Sequence, residues 1–363
     1  MRVAIRADAS IQIGSGHVMR CLTLAEALRE RGAEVHFVCR DLPGHLGGVL
    51  ADKGYLVQWL PAPAAEGAAI PAHTAHSAWL GVPWAVDADQ TRERLTGWPE
   101  IDWLIVDHYA LDRAWESRLR PLVKRIMVID DLADRPHDCD LLLDQNLYEG
   151  MEQRYAGLVP ADCRLLLGPR YALLRPEFRK AREQLRQRDG VVRRILVFFG
   201  GADPTNETAK ALRAIQRLER PDIAVDVVVG AANPHRAEIE ALCAELPNAS
   251  FHCQVANMAE LMARADLAIG AGGSTVWERC ALNLPSIIWV VAENQNKSIE
   301  YLAKSGLLIS IGNYEEVNIK AISTNISSLN KELLIEFGNK SKEIMVGANL
   351  NELFELIGEY NVK

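Results

Sequence analysis

The chain is 363 residues long, 49% hydrophobic and 24% charged, with a formal net charge of -8. That length predicts two or three folded domains with room for a sizeable core, and the composition excludes a disordered polyelectrolyte. The acidic balance argues against a nucleic-acid partner or a stable membrane association, both of which need clustered Lys and Arg, and no stretch nears the roughly 18 apolar residues of a bilayer span.

In chain order, residues 3–7 predict a strand, followed by a glycine-rich turn and a helix from about His17. Val18, Leu22, Ala25 and Leu28 share one face of that helix before Gly32 stops it. Arg2, Arg6 and Asp8 interrupt any signal-peptide core, so a cytoplasmic location is expected. Residues 34–39 continue as the next strand, and this β-loop-α-β order implies a parallel sheet. A Pro/Ala-rich irregular connection covers 60–72, and His73 and His76 are expected as solvated loop residues. Strands at 103–106 and 126–129 end in Asp107-His108-Tyr109 and Asp130-Asp131, and open α/β sheets hold ligands at such carboxyl ends.

A charged helix over 176–189 ends at Gly190, and the rhythm restarts with strands at 195–199, 224–229, 250–252, 267–269 and 286–291. The expected domains are therefore 1–190 and 191–363, two Rossmann-like α/β halves facing each other across a cleft. Seven cysteines, at 21, 39, 139, 163, 243, 253 and 280, are scattered with no CxxC pair; they are expected to be free thiols, with no disulfide framework and no metal site. Arg279 is the last arginine and seven lysines follow it. So abrupt a change fits either two joined gene segments of different base composition or a surface-rich C-terminal region, and the helical pattern continues through 342 and 350–356 in both cases.

Three turns carry chemistry. Gly14-Ser15-Gly16-His17 stands between strand and helix, where glycines let a phosphate or sugar approach and free N–H groups favour an anion. Met19 occupies the position where a dinucleotide fingerprint wants Gly or Ala, which lowers the dehydrogenase reading. At a helix start the dipole disfavours an imidazolium, so His17 is expected to act as a proton acceptor, the alternative being a core or capping histidine. The second turn, 199–206, contains Gly200, Gly201 and Asp203 and can line a diphosphate or nucleoside pocket, or be an ordinary βα turn. The third, Gly272-Gly273-Ser274, can hold a pyrophosphate, with Glu278 one helical turn further on to accept both hydroxyls of a ribose. Asn294 and Gln295 follow an apolar strand, and their amides suit sugar hydroxyls or acetamido groups.

Together with Arg6-Ala7-Asp8, Arg20, Leu22, the 79–82 segment, Asp107-His108-Tyr109, the 129–135 segment, Asp144-Gln145-Asn146 and Glu293, these turns resemble the UDP-diacetamido-trideoxy-altrose hydrolases of pseudaminic acid biosynthesis over roughly residues 1 to 300. The resemblance implies a GT-B-like fold, like that of the lipid II-forming N-acetylglucosaminyltransferase, with water in place of an acceptor sugar. It implies C–O cleavage at the anomeric carbon with inversion and release of UDP, with no cofactor and no metal. On that pattern His17 is the base, Tyr109 lies beside the sugar, Arg20 belongs to the substrate set and the C-terminal half holds UDP. Two rivals remain: an inverting glycosyltransferase of the same fold, and a catalytically silent nucleotide-sugar binding protein. The oligomeric state is not legible.

Overall fold

The computed structural model describes residues 1–64 and 70–359, and the chain divides into two compact units. The first contains seven strands, β1 (Arg2–Ala7), β2 (Glu34–Arg40), β3 (Leu56–Leu60), β4 (Ile101–Asp107), β5 (Val123–Ile129), β6 (Leu141–Asp144) and β7 (Arg164–Leu167), in the order β3-β2-β1-β4-β5-β6-β7. The second contains β8 (Arg194–Phe198), β9 (Ala224–Val229), β10 (Ala249–Cys253), β11 (Leu267–Ala271), β12 (Ser286–Val290) and β13 (Ile309–Asn313), in the order β10-β9-β8-β11-β12-β13. Every registered pair in both sheets is parallel. Both orders are the Rossmann arrangement, and they reverse direction at β1/β4 and at β8/β11. Loops leaving those four strands are where such sheets hold ligands.

Strand alternation sorts side chains onto two faces. Val3, Ile5 and Ala7 of β1, Trp103 and Ile105 of β4, and Met127 and Ile129 of β5 pack with Val18, Cys21, Leu22, Ala25 and Leu28 of the helix Gly16–Glu30. Ala4, Leu104, Val106, Ile126 and Val128 point the other way, toward Ala88, Leu95, Trp115 and Leu119 of the helices Trp84–Leu95 and Arg113–Leu119. Burial on both faces explains why these strands are near-continuous apolar runs in the sequence. Truncating Leu104 to Ala would cost about 2–5 kcal/mol, through lost burial and the cavity left behind.

Arg6-Ala7-Asp8 serves this packing. Arg6 donates to both oxygens of Asp8 at 2.6 and 2.8 Å and to Asp87 at 2.8 Å; Arg40 donates to Asp87 at 2.7 Å; all four are fully buried. The cluster ties β1 and β2 to the helix Trp84–Leu95 and pairs each buried charge, as burial requires.

Several boundaries differ from expectation. The chain changes unit at Leu173–Leu174, not near 190, with 147–149 also in the second unit, and it returns to the first unit at Ala348. The helix Pro176–Glu183 packs on the helices Met258–Arg264 and Thr275–Ala281, so it belongs with the second sheet. At the other end, Leu350, Leu353 and Ile357 enter the core of the first unit, and Trp103 Nε1 donates to the Ile357 carbonyl at 3.2 Å. The expected helix over 176–189 stops at Glu183, and Arg188 beyond it reaches the carbonyls of Met262, Ala265 and Leu282. Part of the connection 60–72, residues 65–69, lies outside the described residues. All seven cysteines are unbridged here, with the Cys139 and Cys163 Sγ atoms 3.6 Å apart.

Candidate active site

His17, Arg20 and Cys21 sit at i, i+3 and i+4 of the helix Gly16–Glu30, on the face turned to the sheet. Alternation along β4 puts Asp107 on the same face as Trp103 and Ile105, directly beneath them. Asp107 is fully buried and accepts from His17 Nδ1 at 2.6 Å, from Arg20 Nε and Nη2 at 2.6 Å each, and from Cys21 Sγ at 3.4 Å. Burial alone would raise the Asp107 pKa; Arg20 and His17 outweigh it and hold the carboxyl well below the usual carboxylate range. An ionised carboxylate only accepts, so the neutral imidazole carries its proton on Nδ1 and presents a lone pair at Nε2.

The same parity on β5 brings Asp131 to this face. Asp131 accepts from Arg20 Nη1 at 3.0 Å, from Tyr109 OH at 2.5 Å and from Asn146 Nδ2 at 3.2 Å. Burial, then the Asp131 charge, push the Tyr109 phenol well above its ordinary pKa, so it remains a donor. Its ring meets that of His17 edge-on at 4.5 Å, and Trp79, from the turn Ser77–Leu80, adds a second aromatic wall 6.2 Å from His17. His76 packs on both Trp79 and Tyr109, at 4.6 and 5.3 Å, so it is no stray loop residue. The imidazole is 6% exposed, and Trp79, His108 and Tyr109 are its ring neighbours.

The opposite parity collects a different set. His108 accepts from the Ala110 N–H at Nδ1 and turns Nε2 toward Asp8 at 3.4 Å, and burial lowers its pKa. Asp130 pairs with Arg135 at 2.9 Å, and Tyr155 OH bridges Asp130 and Asp144. Burial and then the charge of Asp131 push the Asp144 carboxyl up to about 7.

The turn before His17 behaves as its glycines imply. Gly14 has φ +79, which only glycine adopts without strain, and accommodates the Gly14 N–H donating to the Ser10 carbonyl at 2.8 Å. A side chain at Gly16 would meet nothing within 4 Å.

In the second unit, the turns after β8 and β11 lie side by side at the strand-order reversal. Side chains at Gly200 or Gly201 would meet nothing within 4 Å, whereas one at Gly272 would strike Gln295 Oε1 at 2.9 Å. Gly272, Gly273 and Gln295 are thus brought together, with Ser274 exposed and making no cap bond to its own helix. Asn294 falls in the turn Glu293–Gln295, and its side chain lies outside the described residues. Glu278 accepts from Arg175 Nε at 3.0 Å through Oε1, while Oε2 is buried with no hydrogen-bond partner among the described residues. Burial raises its pKa and Arg175 partly offsets this.

Two expected contact residues are engaged within the protein. Arg20 is 7% exposed and donates to Asp107 and Asp131 beside the His17 ring. Asp203 caps the helix Glu207–Gln216, accepting from the Glu207 and Thr208 N–H groups at 2.9 Å each. The strand ends that carry Asp107 and Asp131 and the 79–82 segment that carries Trp79 are legible in the sequence without a role for these side chains; strand parity turns the two acids toward His17, while Arg175 has no local signal.

Two Rossmann-type units with this strand order, carrying their glycine turns at the order reversals, define a GT-B fold. Residues 194–352 match the glycosyltransferase family 28 C-terminal domain model. The structure of Acinetobacter baumannii MurG superposes with a TM-score of 0.65 at 15% identity, covering 100% of this chain and 99% of that one. In sequence, the chain is 27% identical over 312 residues to the UDP-2,4-diacetamido-2,4,6-trideoxy-beta-L-altropyranose hydrolase of Campylobacter jejuni, covering 84% of this chain and 97% of the relative. It is 24% identical to the spore coat polysaccharide biosynthesis protein SpsG of Bacillus subtilis, covering 98% and 99%. Together these matches make the chain similar to that Campylobacter jejuni protein over most of its length, with a glycosyltransferase-type C-terminal part.

Proposed function

We propose that the protein hydrolyses a UDP-linked diacetamido-trideoxy sugar at its anomeric carbon, releasing UDP and the free sugar. The coarser reading, an enzyme acting on a UDP-sugar, rests on the family and the fold. The finer one rests on the printed activity of the Campylobacter jejuni relative and on one observation: His17 Nδ1 is held by Asp107, so Nε2 is the free basic atom of the site.

In the proposed reaction Nε2 takes a proton from water as its oxygen bonds to the anomeric carbon. The anomeric C–O bond breaks on the opposite side and its electron pair leaves with the β-phosphate of UDP, inverting the centre. Asp107 then stabilises the imidazolium, the role of the acid in a Ser-His-Asp arrangement. A diphosphate is already a good leaving group, so orienting water and excluding other acceptors is most of what the protein must supply. In this reading the backbone donors of Gly200, Gly201, Gly272, Gly273 and Ser274 receive the diphosphate. The unpartnered Glu278 Oε2 takes ribose hydroxyls, and Asn294 and Gln295 meet the sugar or nucleotide.

Following UDP release from UDP-sugars tests it. Release in buffer alone supports the hydrolase; release that requires an added acceptor transfers the same site to a glycosyltransferase, and none leaves a binding protein.

A further inference from the structure

We propose that Arg20 is a positioning residue that sets the pH range in which His17 works: it holds both oxygens of Asp107, so the carboxylate available to an imidazolium is already shared with a guanidinium. The inference rests on His17 being the base and adds what tunes it.

Arg20 Nε and Nη2 each lie 2.6 Å from an Asp107 oxygen, and Nη2 ends 3.4 Å from His17 Nδ1. Its third nitrogen, Nη1, donates to Asp131. The other groups facing His17 leave Arg20 as the cation of the set. From the end of β4 come Asp107, Tyr109 with ring centres 4.5 Å apart, and His108 at 6.4 Å; from the turn Ser77–Leu80 comes uncharged Trp79, with His76 behind it. Tyr109 donates to Asp131 and stays a phenol.

Protonating His17 therefore places a second positive charge beside Arg20, on a carboxylate that Arg20 already holds at both oxygens while its third nitrogen is held by Asp131. The pair of acids holds Arg20 firmly charged. With a cation fixed there, Asp107 has less attraction to spare for an imidazolium than the acid of an isolated His-Asp pair. Without it, Asp107 would hold the proton on the ring more tightly, and base activity would begin only at higher pH.

The test is the pH dependence of kcat/KM for UDP release, with the histidine Cε1 carbon resonances of the free protein titrated in parallel and the His17 signal identified by its loss in His17→Ala. Arg20→Gln moves both the acid limb and the ring titration upward by on the order of one pH unit. Arg20→Lys, which keeps the charge, stays nearer the parent than the Gln variant. Arg20→Gln leaves two buried acids facing each other, so Arg20→Gln with Asp131→Asn, which restores the charge count, is measured beside it and shifts in the same direction. An unmoved ring titration in both Gln variants, or equal displacement by Lys and Gln, overturns the proposal. Normal turnover by His17→Ala would instead defeat the base assignment, while the ring titration would still report on the coupling.

Discussion

Replacing Asp107 by Asn keeps the side-chain volume and removes its charge. The carboxylate takes two donors from Arg20 and one from His17, all at 2.6 Å. An amide has one acceptor oxygen, which Arg20 claims, and its NH2 is then left against His17 Nδ1. The ring must accept there and carry its proton on Nε2, where it cannot take one from water. Loss of the charge-assisted hydrogen bond alone is about 1.5–3 kcal/mol, or roughly 10- to 150-fold in kcat. The wrong tautomer extends this toward about 10⁴, the loss for the same change in a Ser-His-Asp triad. Steady-state UDP release measures kcat, and calorimetry measures UDP affinity, which should hold because the groups proposed to receive the nucleotide belong to the second unit. A variant with parental kcat and the parental fold would refute the reasoning. Asp107 also has a depressed pKa when folded, so it stabilises the fold above the ordinary carboxylate value of about 4 and this is lost on further acidification.

Three further predictions follow from individual side chains. Glu278→Ala should weaken UDP binding by about 1.5–3 kcal/mol in calorimetry, through the loss of a charge-assisted acceptor; parental affinity would remove it from the ribose role. Asp203→Ala should lower stability by about 0.5–2 kcal/mol in denaturant melts with UDP affinity intact, as expected of a helix cap and not of a ligand contact. Asp144 has a folded pKa raised to about 7, so the stability it contributes is present below its unfolded value and lost as pH rises through about 7. Asp144→Asn should therefore flatten the fall in melting temperature between about pH 4 and 7, and an unchanged slope would contradict that environment.

The sequence carried the sheet architecture well because both faces of the central strands are buried, leaving unmistakable apolar runs at β1, β4, β5, β8 and β12. It was silent where strands are short or half-covered: β6 and β7 are four residues each, and β3 and β13 carry polar residues on partly exposed edges. The return of Leu350, Leu353 and Ile357 to the first core has no local signature, since an amphipathic helix does not state which sheet it covers. His17 was legible because strand, glycine turn and helix start are contiguous. Its partner Asp107 lies 90 residues away, and only counting strand parity to the end of β4 aims it at that helix. For Arg20 and Asp203 residue type marks a polar group near a site, while their protein partners, Asp107 and Asp131 for one and a helix start for the other, are decided by packing.

Turnover in ¹⁸O-labelled water, compared between the parent and His17→Ala, tests the central claim most directly. The account predicts UDP release without an acceptor, label in the sugar and none in UDP, an inverted anomer in the first product seen by NMR, and loss of most turnover in the variant. Label in the phosphate of UDP, or parental turnover by His17→Ala, would contradict it.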